Sequence, residues 1–201
     1  MREMLVEQQD VFYYVTLMNE NYAQPDLPAG AAADVIRGCY KFGSYPAAAN
    51  SQGGPPGAVQ HVTLLGSGAI LTEVLKAAKQ LSEQGIACDV LSVTSWSELA
   101  RDGQACEQRA LQGDATAGTP FVTRQLAACA GPVIAATDYV RAVPESIRAF
   151  VPAQRRYVTL GTDGFGRSDT RAALRRFFNV DAASIVSAAQ HALAAERAVK
   201  T

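Results

Sequence analysis

The spacing of apolar and polar positions divides the chain into short strands alternating with helices. The clearest stretch is Val62 to Ser95. Val62–Leu65 is a short apolar run that ends in Gly66-Ser67-Gly68. Ile70, Leu71, Val74, Leu75, Ala78 and Leu81 then recur at helical spacing. Gly85 closes that helix, because glycine takes the left-handed C′ conformation at little cost. Residues 86–95 are apolar with few polar positions, as in a strand buried on both faces. Together these runs predict a βαβ unit with a right-handed crossover.

Upstream, residues 2–9 read as a short polar helix and 11–17 as a strand rich in β-branched and aromatic side chains. A loop with two prolines follows. Residues 30–38 predict a helix and 39–43 a strand, and 44–57 a flexible loop rich in Pro, Gly, Ala and Ser. The strand at 11–17 has no evident partner and leaves an edge that needs covering. Downstream, 96–111 predict a helix capped by Ser97 and weakened by Gly103. A loop at 112–119 precedes a helix at 120–130 that Pro120 opens. A strand is expected at 132–137. The apolar stripe Val140, Val143, Ile147, Phe150 and Val151 is interrupted by Pro144, which implies a kink or a later start. A strand at 156–160, a loop at 161–169 and helices at 171–178 and 181–198 complete the chain. This alternation predicts an α/β fold with helices on both faces of the sheet.

At 201 residues, the chain has room for one such domain and an extra piece. Its 48% hydrophobic and 18% charged residues suit a globular core. A formal net charge of −1 gives no basic footprint for nucleic acid or an acidic membrane. No apolar run approaches the roughly 18 residues of a membrane span, and the opening MREMLVEQQD has no apolar signal core. Cys39, Cys88, Cys106 and Cys129 form no C-x-x-C pair, and His61 and His191 lie far apart in sequence. That pattern fits reduced thiols in a cytosol better than a zinc site.

Candidate chemistry is sparse. Gly66-Ser67-Gly68 invites comparison with a dinucleotide fingerprint, but the third-glycine position is Leu71. The second strand runs into Val93-Thr94-Ser95-Trp96 with no carboxylate for a ribose. A tight structural turn is the better reading, with phosphate binding at the helix N-terminus as the alternative. The loop 161–169 (GTDGFGRSD) follows a strand, where open α/β sheets place their sites. In it Asp163, Arg167 and Asp169 can pair or cap, or Ser168 or Asp169 simply caps the next helix while Phe165 packs into a neighbouring domain. Asp114, Asp138, Asp163 and Asp169 mostly follow strands or precede helices, which suits capping. No catalytic residue, cofactor-binding residue or metal ligand can be named from these patterns.

Several blocks carry a resemblance. YYVTLMNENYAQPDLPAG, VTLLGSGAIL, DVLSVTSWSELARDGQACE, ATDYVRA, FVP and LGTDGFGRSDTRAALRRFF resemble the C-terminal part of the homodimeric bacterial pyruvate dehydrogenase E1 family, from about Met4 to about Ala194. The resemblance implies a transketolase C-terminal-like domain, a three-layer α/β/α sandwich on a five-stranded, mixed, mostly parallel sheet. Its antiparallel strand would lie near Tyr40–Phe42. Its parallel strands would lie near Val62–Leu65, Val90–Thr94, Val133–Ala136 and Tyr157–Leu160. Residues 1–24 would be the tail of the preceding pyrimidine-binding domain, and 25–201 the C-terminal domain itself.

The resemblance also implies chemistry that belongs to a longer enzyme. Such an E1 decarboxylates pyruvate on thiamine diphosphate with Mg²⁺ and passes the two-carbon unit to the lipoyl group of an E2 acetyltransferase. The family's diphosphate motif, GDG with a later asparagine, is absent here, and its activating glutamate and histidines lie upstream. The chain alone is therefore expected to be inactive, in a bacterial cytoplasm, with the remaining E1 domains, a homodimer mate and E2 as partners. In transketolases a Ser-Arg-Gln after the strand matching Val11–Leu17 holds a sugar phosphate. Here the stretch is Met18-Asn19-Glu20-Asn21, which lacks the arginine and suits a substrate without phosphate. Asn19, Glu20 and Asn21 are thus candidates for a substrate approach, or simply connect domains. Asp163, Phe165, Arg167 and Asp169 are candidates for a structural or interface loop. The loops at Pro46–Gly57 and Gln112–Thr119 depart from the family pattern. Two other readings stay open: a stand-alone nucleotide- or phosphate-binding module using Gly66–Gly68 or Gly161–Gly166, and a remnant or regulatory protein that pairs with an E1.

Overall fold

The computed structural model describes residues 1–13, 20–48 and 59–200, the side chains of 199 and 200 excepted. Five strands form one sheet: β1 (Cys39–Tyr45), β2 (Gln60–Ser67), β3 (Ile86–Val93), β4 (Val133–Ala136) and β5 (Tyr157–Leu160), in the order β1-β3-β2-β4-β5. Only β1 is antiparallel; β2 pairs in parallel with both β3 and β4, and β4 with β5. The expected five-stranded, mostly parallel sheet is therefore present. Strand β1 runs to Tyr45, so it takes the first residues assigned to the 44–57 loop. Residues 49–57 of that loop lie outside the described residues.

Helices cover both faces. On one, α3 (Leu71–Glu83) and α8 (Ala182–Lys200) pack Val74, Leu81, Ile185 and Ala189 against Val62, Leu64, Val90 and Ile134. On the other, α4 (Trp96–Leu111), α5 (Phe121–Ala127) and α6 (Ala142–Glu145) lie over Leu65, Leu91, Val133 and Ala135. Odd and even strand positions thus feed different layers, as the period of two requires. Every residue of β3 is buried, which matches a run with few polar positions, Asp89 and Ser92 among them.

The βαβ unit forms largely as its spacing predicts, with one correction. Gly66 and Ser67 belong to β2, so the connection is a single 3-10 turn over Gly68–Ile70. Gly68 takes φ +55° and Gly85 takes φ +82°, the latter one residue past the helix C-cap Gln84.

Other boundaries move for local reasons. Helix α1 spans only Arg2–Leu5, and Val11–Tyr13 carry no strand; residues 14–17 of that expected strand lie outside the described residues. Helix α2 is confined to Ala32–Ile36. The cap of α4 is Ser95, not Ser97: Ser95 is extended, and its Oγ accepts the Glu98 N–H at 3.1 Å. Pro120 is itself the N-cap of α5, and that helix ends at Ala127. Residues 140–151 resolve into α6 and a 3-10 turn at Arg148–Phe150. Pro144 is the third residue of α6, where a backbone N–H would have no intrahelical partner. Helix α7 spans Arg171–Phe177 and is capped by Thr170, whose side chain accepts the Ala173 N–H, rather than by Ser168 or Asp169. Among the described residues no helix is long and apolar enough to cross a membrane.

Candidate functional site

The chain passes from β2 to β3 on one side of the sheet and then returns to β4 on the other. At such a reversal a crevice opens outside the carboxyl ends of the two strands. Here those strands are β2 and β4. Gly68 follows β2 and Asp138 follows β4, and a Cβ placed on Gly68 would lie 3.7 Å from Asp138 Oδ1. Just beneath, the buried Ser67 hydroxyl donates to Thr137 Oγ1 at 2.8 Å and ties the two strand ends together.

The loop after β5 closes one side of this crevice. Thr162 donates through its hydroxyl to the Asp138 carbonyl at 2.7 Å and through its N–H to the Tyr139 carbonyl at 2.9 Å. Asp163 accepts the Arg141 N–H at 2.8 Å and Arg141 Nε at 2.7 Å, and these bonds hold its carboxyl below the usual range. Arg167 stacks over the Phe177 ring at 4.0 Å, and Asp169 accepts the Thr170 N–H at 2.6 Å. Phe165 is 95% exposed at the loop tip. The expected candidates Asp163, Arg167 and Asp169 therefore brace the loop through separate partners rather than converging on one point.

Helix α7 forms the wall opposite. Arg175 lies 3.1 Å from the Glu73 carboxylate, which is buried and also accepts from Lys76 Nζ at 2.8 Å and the Ala182 N–H at 3.1 Å. Burial raises the Glu73 carboxyl, but those hydrogen bonds and the neighbouring charges outweigh it and leave its pKa lowered. Arg171 pairs with Glu20 at 3.3 Å. Two openings result. A cavity of about 300 Å³ is lined by Ile70, Asp138, Thr162, Arg167, Arg171 and Arg175, among others. A second, of about 590 Å³, lies between Glu20–Pro25 and Gly68–Thr72.

Of the expected approach residues, Glu20 and Asn21 line this second cavity at the crevice mouth. Asn19 lies outside the described residues. Sequence reasoning passed over Arg171 and Arg175, although their i, i+4 spacing puts them on one helix face. It also reduced Asp138 to a cap. Burial pushes the Asp138 carboxyl above the usual carboxylate range, and Arg175 and Arg171 offset that only in part.

This arrangement does not suit a diphosphate. A phosphate set against the Gly68 turn would face the Asp138 carboxyl, and the guanidinium groups of Arg171 and Arg175 already pair with Glu20 and Glu73. Among the described residues no three His, Cys, Asp or Glu side chains gather as a metal-ligand set. Asp114 accepts from Thr116 in a local turn. The four cysteines are free, and burial pushes the Cys39 and Cys88 thiols up to about 12.

Comparison with known proteins adds identity to this geometry. A family model described as the transketolase-like TK C-terminal domain matches residues 43–181. The pyruvate dehydrogenase E1 component of Cupriavidus necator is 47% identical over 99% of this chain. The proteins of that name from Pseudomonas aeruginosa and Escherichia coli are 48% and 44% identical over 96% and 94% of it. The chain spans about a fifth of the length of these curated relatives. Among solved structures, transketolase from Leishmania mexicana superposes with a TM-score of 0.50 at 18% identity, covering 82% of this chain and 19% of that one. That likeness concerns the fold alone.

Proposed function

Because the chain belongs to the transketolase-like TK C-terminal domain family, we propose that it is the carboxyl-terminal scaffold of a pyruvate dehydrogenase E1. The observation that carries this reading is near-full-length identity of 47% to a relative of that name, of which the chain covers 21%. In such an enzyme thiamine diphosphate and Mg²⁺ supply the chemistry that decarboxylates pyruvate and delivers an acetyl group to the lipoyl arm of E2. The crevice at Gly68 and Asp138 offers no cradle for that cofactor, so it belongs to domains outside this chain. The chain's own residues then contribute placement. Residues 1–24 are the tail of the preceding domain, and Asn19, Glu20 and Asn21 border the substrate approach. The loop carrying Asp163, Phe165, Arg167 and Asp169 meets the rest of the E1 or its homodimer mate. The exposed Phe165 ring on a braced loop supports that assignment. The enzyme works in a bacterial cytoplasm.

The test is to incubate the purified chain with thiamine diphosphate, Mg²⁺, pyruvate and an artificial electron acceptor. The expected result is no turnover above buffer. Turnover that follows the chain through purification would overturn the scaffold reading.

A further inference from the structure

Residues 20–27 belong to no helix or strand. Their position against the crevice is therefore set by side chains, and the contacts form a closed circuit. Tyr22 donates its hydroxyl to Glu20 Oε2 at 2.5 Å and accepts from Arg175 Nη2 at 3.1 Å. The Arg175 guanidinium also lies over the Tyr22 ring, 5.5 Å from its centre. Glu20 then returns to α7 through Arg171, one helical turn before Arg175.

An exposed pair such as Glu20–Arg171 contributes little alone. Its side chains are each 46% exposed. The circuit gains its rigidity from the other end. The Arg175 side chain is only 16% exposed, and its partner Glu73 is fixed by the N-terminus of α8 and by Lys76. A long guanidinium held at one end keeps most of its remaining donors aimed in one direction. That direction is Tyr22.

We propose that Arg171 and Arg175 are positioning residues that hold Glu20–Pro25 as a strap across the mouth of the crevice, and through it set Glu20 and Asn21 of the substrate approach. The proposal rests on the reading of this chain as part of an E1. Each arginine acts through Tyr22 or Glu20. The arrangement also joins the segment at 20–25 to α7.

Two measurements test it. The first is backbone order, read by NMR relaxation on the chain itself. Y22F and R171Q should lower the order parameters at 20–27 to below about 0.6 while those of β3 stay at about 0.85. R171K, which keeps a cation beside Glu20, should restore part of the order. R175Q should do the same as Y22F, but it also strips a partner from buried Glu73, so Y22F and R171Q decide. Unchanged order at 20–27 in both would overturn the strap. The second uses a hybrid enzyme in which this chain replaces the segment it matches in the Cupriavidus necator E1. Y22F and R171Q should raise KM for pyruvate by about fivefold with kcat little changed, the pattern of lost positioning rather than lost folding. Lowered order with an unchanged KM would overturn the positioning role. A hybrid inactive with the unaltered chain would count against the E1 reading instead, and the relaxation data would still decide the strap.

Discussion

The ring of Phe150 occupies the space that a side chain on Gly103 would need: a Cβ there would come within 2.4 Å of the ring carbons. Glycine in mid-helix costs about 1 kcal/mol relative to alanine. Here that cost is offset by letting α4 approach the 3-10 turn at Arg148–Phe150, whose Phe150 is buried. Gly103→Ala should therefore destabilise the chain by about 1–3 kcal/mol, the usual cost of overpacking, despite the better helix propensity. Gly166→Ala, where nothing lies within 4 Å, should stay within about 0.5 kcal/mol. Denaturant unfolding of both variants checks the contrast.

The cap of α7 makes a second contrast. Thr170→Ala removes the acceptor for the Ala173 N–H and should cost about 1 kcal/mol. Ser168→Ala, two residues earlier and exposed, should be near neutral. Thermal melts of the two would reverse in order if Ser168 were the true cap.

Stability should fall in acid, with Glu73 and Asp89 as leading contributors. Burial raises the Asp89 carboxyl, but hydrogen bonds from Lys41 and Ser44 and the nearby charges overcome it, so its pKa, like that of Glu73, lies lowered in the folded chain. A lowered folded-state pKa gives stability that is present above the unfolded value and lost as pH falls through the folded one. The unfolded references are 4.5 for Glu73 and 3.8 for Asp89. Unfolding free energy should thus fall below those values, and Glu73→Gln should flatten part of that decline. At neutral pH the same variant should lose about 1.5–3 kcal/mol, as expected when a hydrogen-bonded buried charge is removed. An unchanged acid limb in that variant would remove Glu73 from the account.

Thiol reactivity gives an independent view of the core. With pKa values pushed up to about 12, Cys39 and Cys88 should resist a thiolate-directed reagent at pH 8 in the native chain and react on unfolding. Peptide mapping after a native-state pulse checks this; early labelling of either would contradict their burial on the sheet.

The parts of the fold legible in sequence were those set by neighbours a few residues apart. The period of apolar positions located β2, α3 and β3, and Gly85 marked where that helix stops. Cap identities slipped by one or two residues, at Ser95 and Thr170, because several Ser, Thr and Asp residues stood close enough to serve. Only the backbone angle at the helix start selects among them. The crevice itself was not legible. Glu73 and Arg175 are separated by 102 positions and Arg175 and Tyr22 by 153, and no local pattern pairs them. Asp138 read as a cap because its sequence neighbours give no hint that the reversal of strand order sets it beside Gly68. Residues 161–169 form a loop as expected, yet Asp163 finds its partner in Arg141, from a different connection.

The hybrid described above tests the central claim most directly. Pyruvate-dependent reduction of an artificial acceptor would be measured for three proteins: the Cupriavidus necator E1, the same enzyme without the matching segment, and the hybrid carrying this chain. The account predicts that removal of the segment abolishes turnover and that this chain restores it to within about tenfold of the parent, a loss of no more than about 1.4 kcal/mol in transition-state stabilisation. A soluble, folded hybrid with no more activity than the truncated enzyme would contradict it.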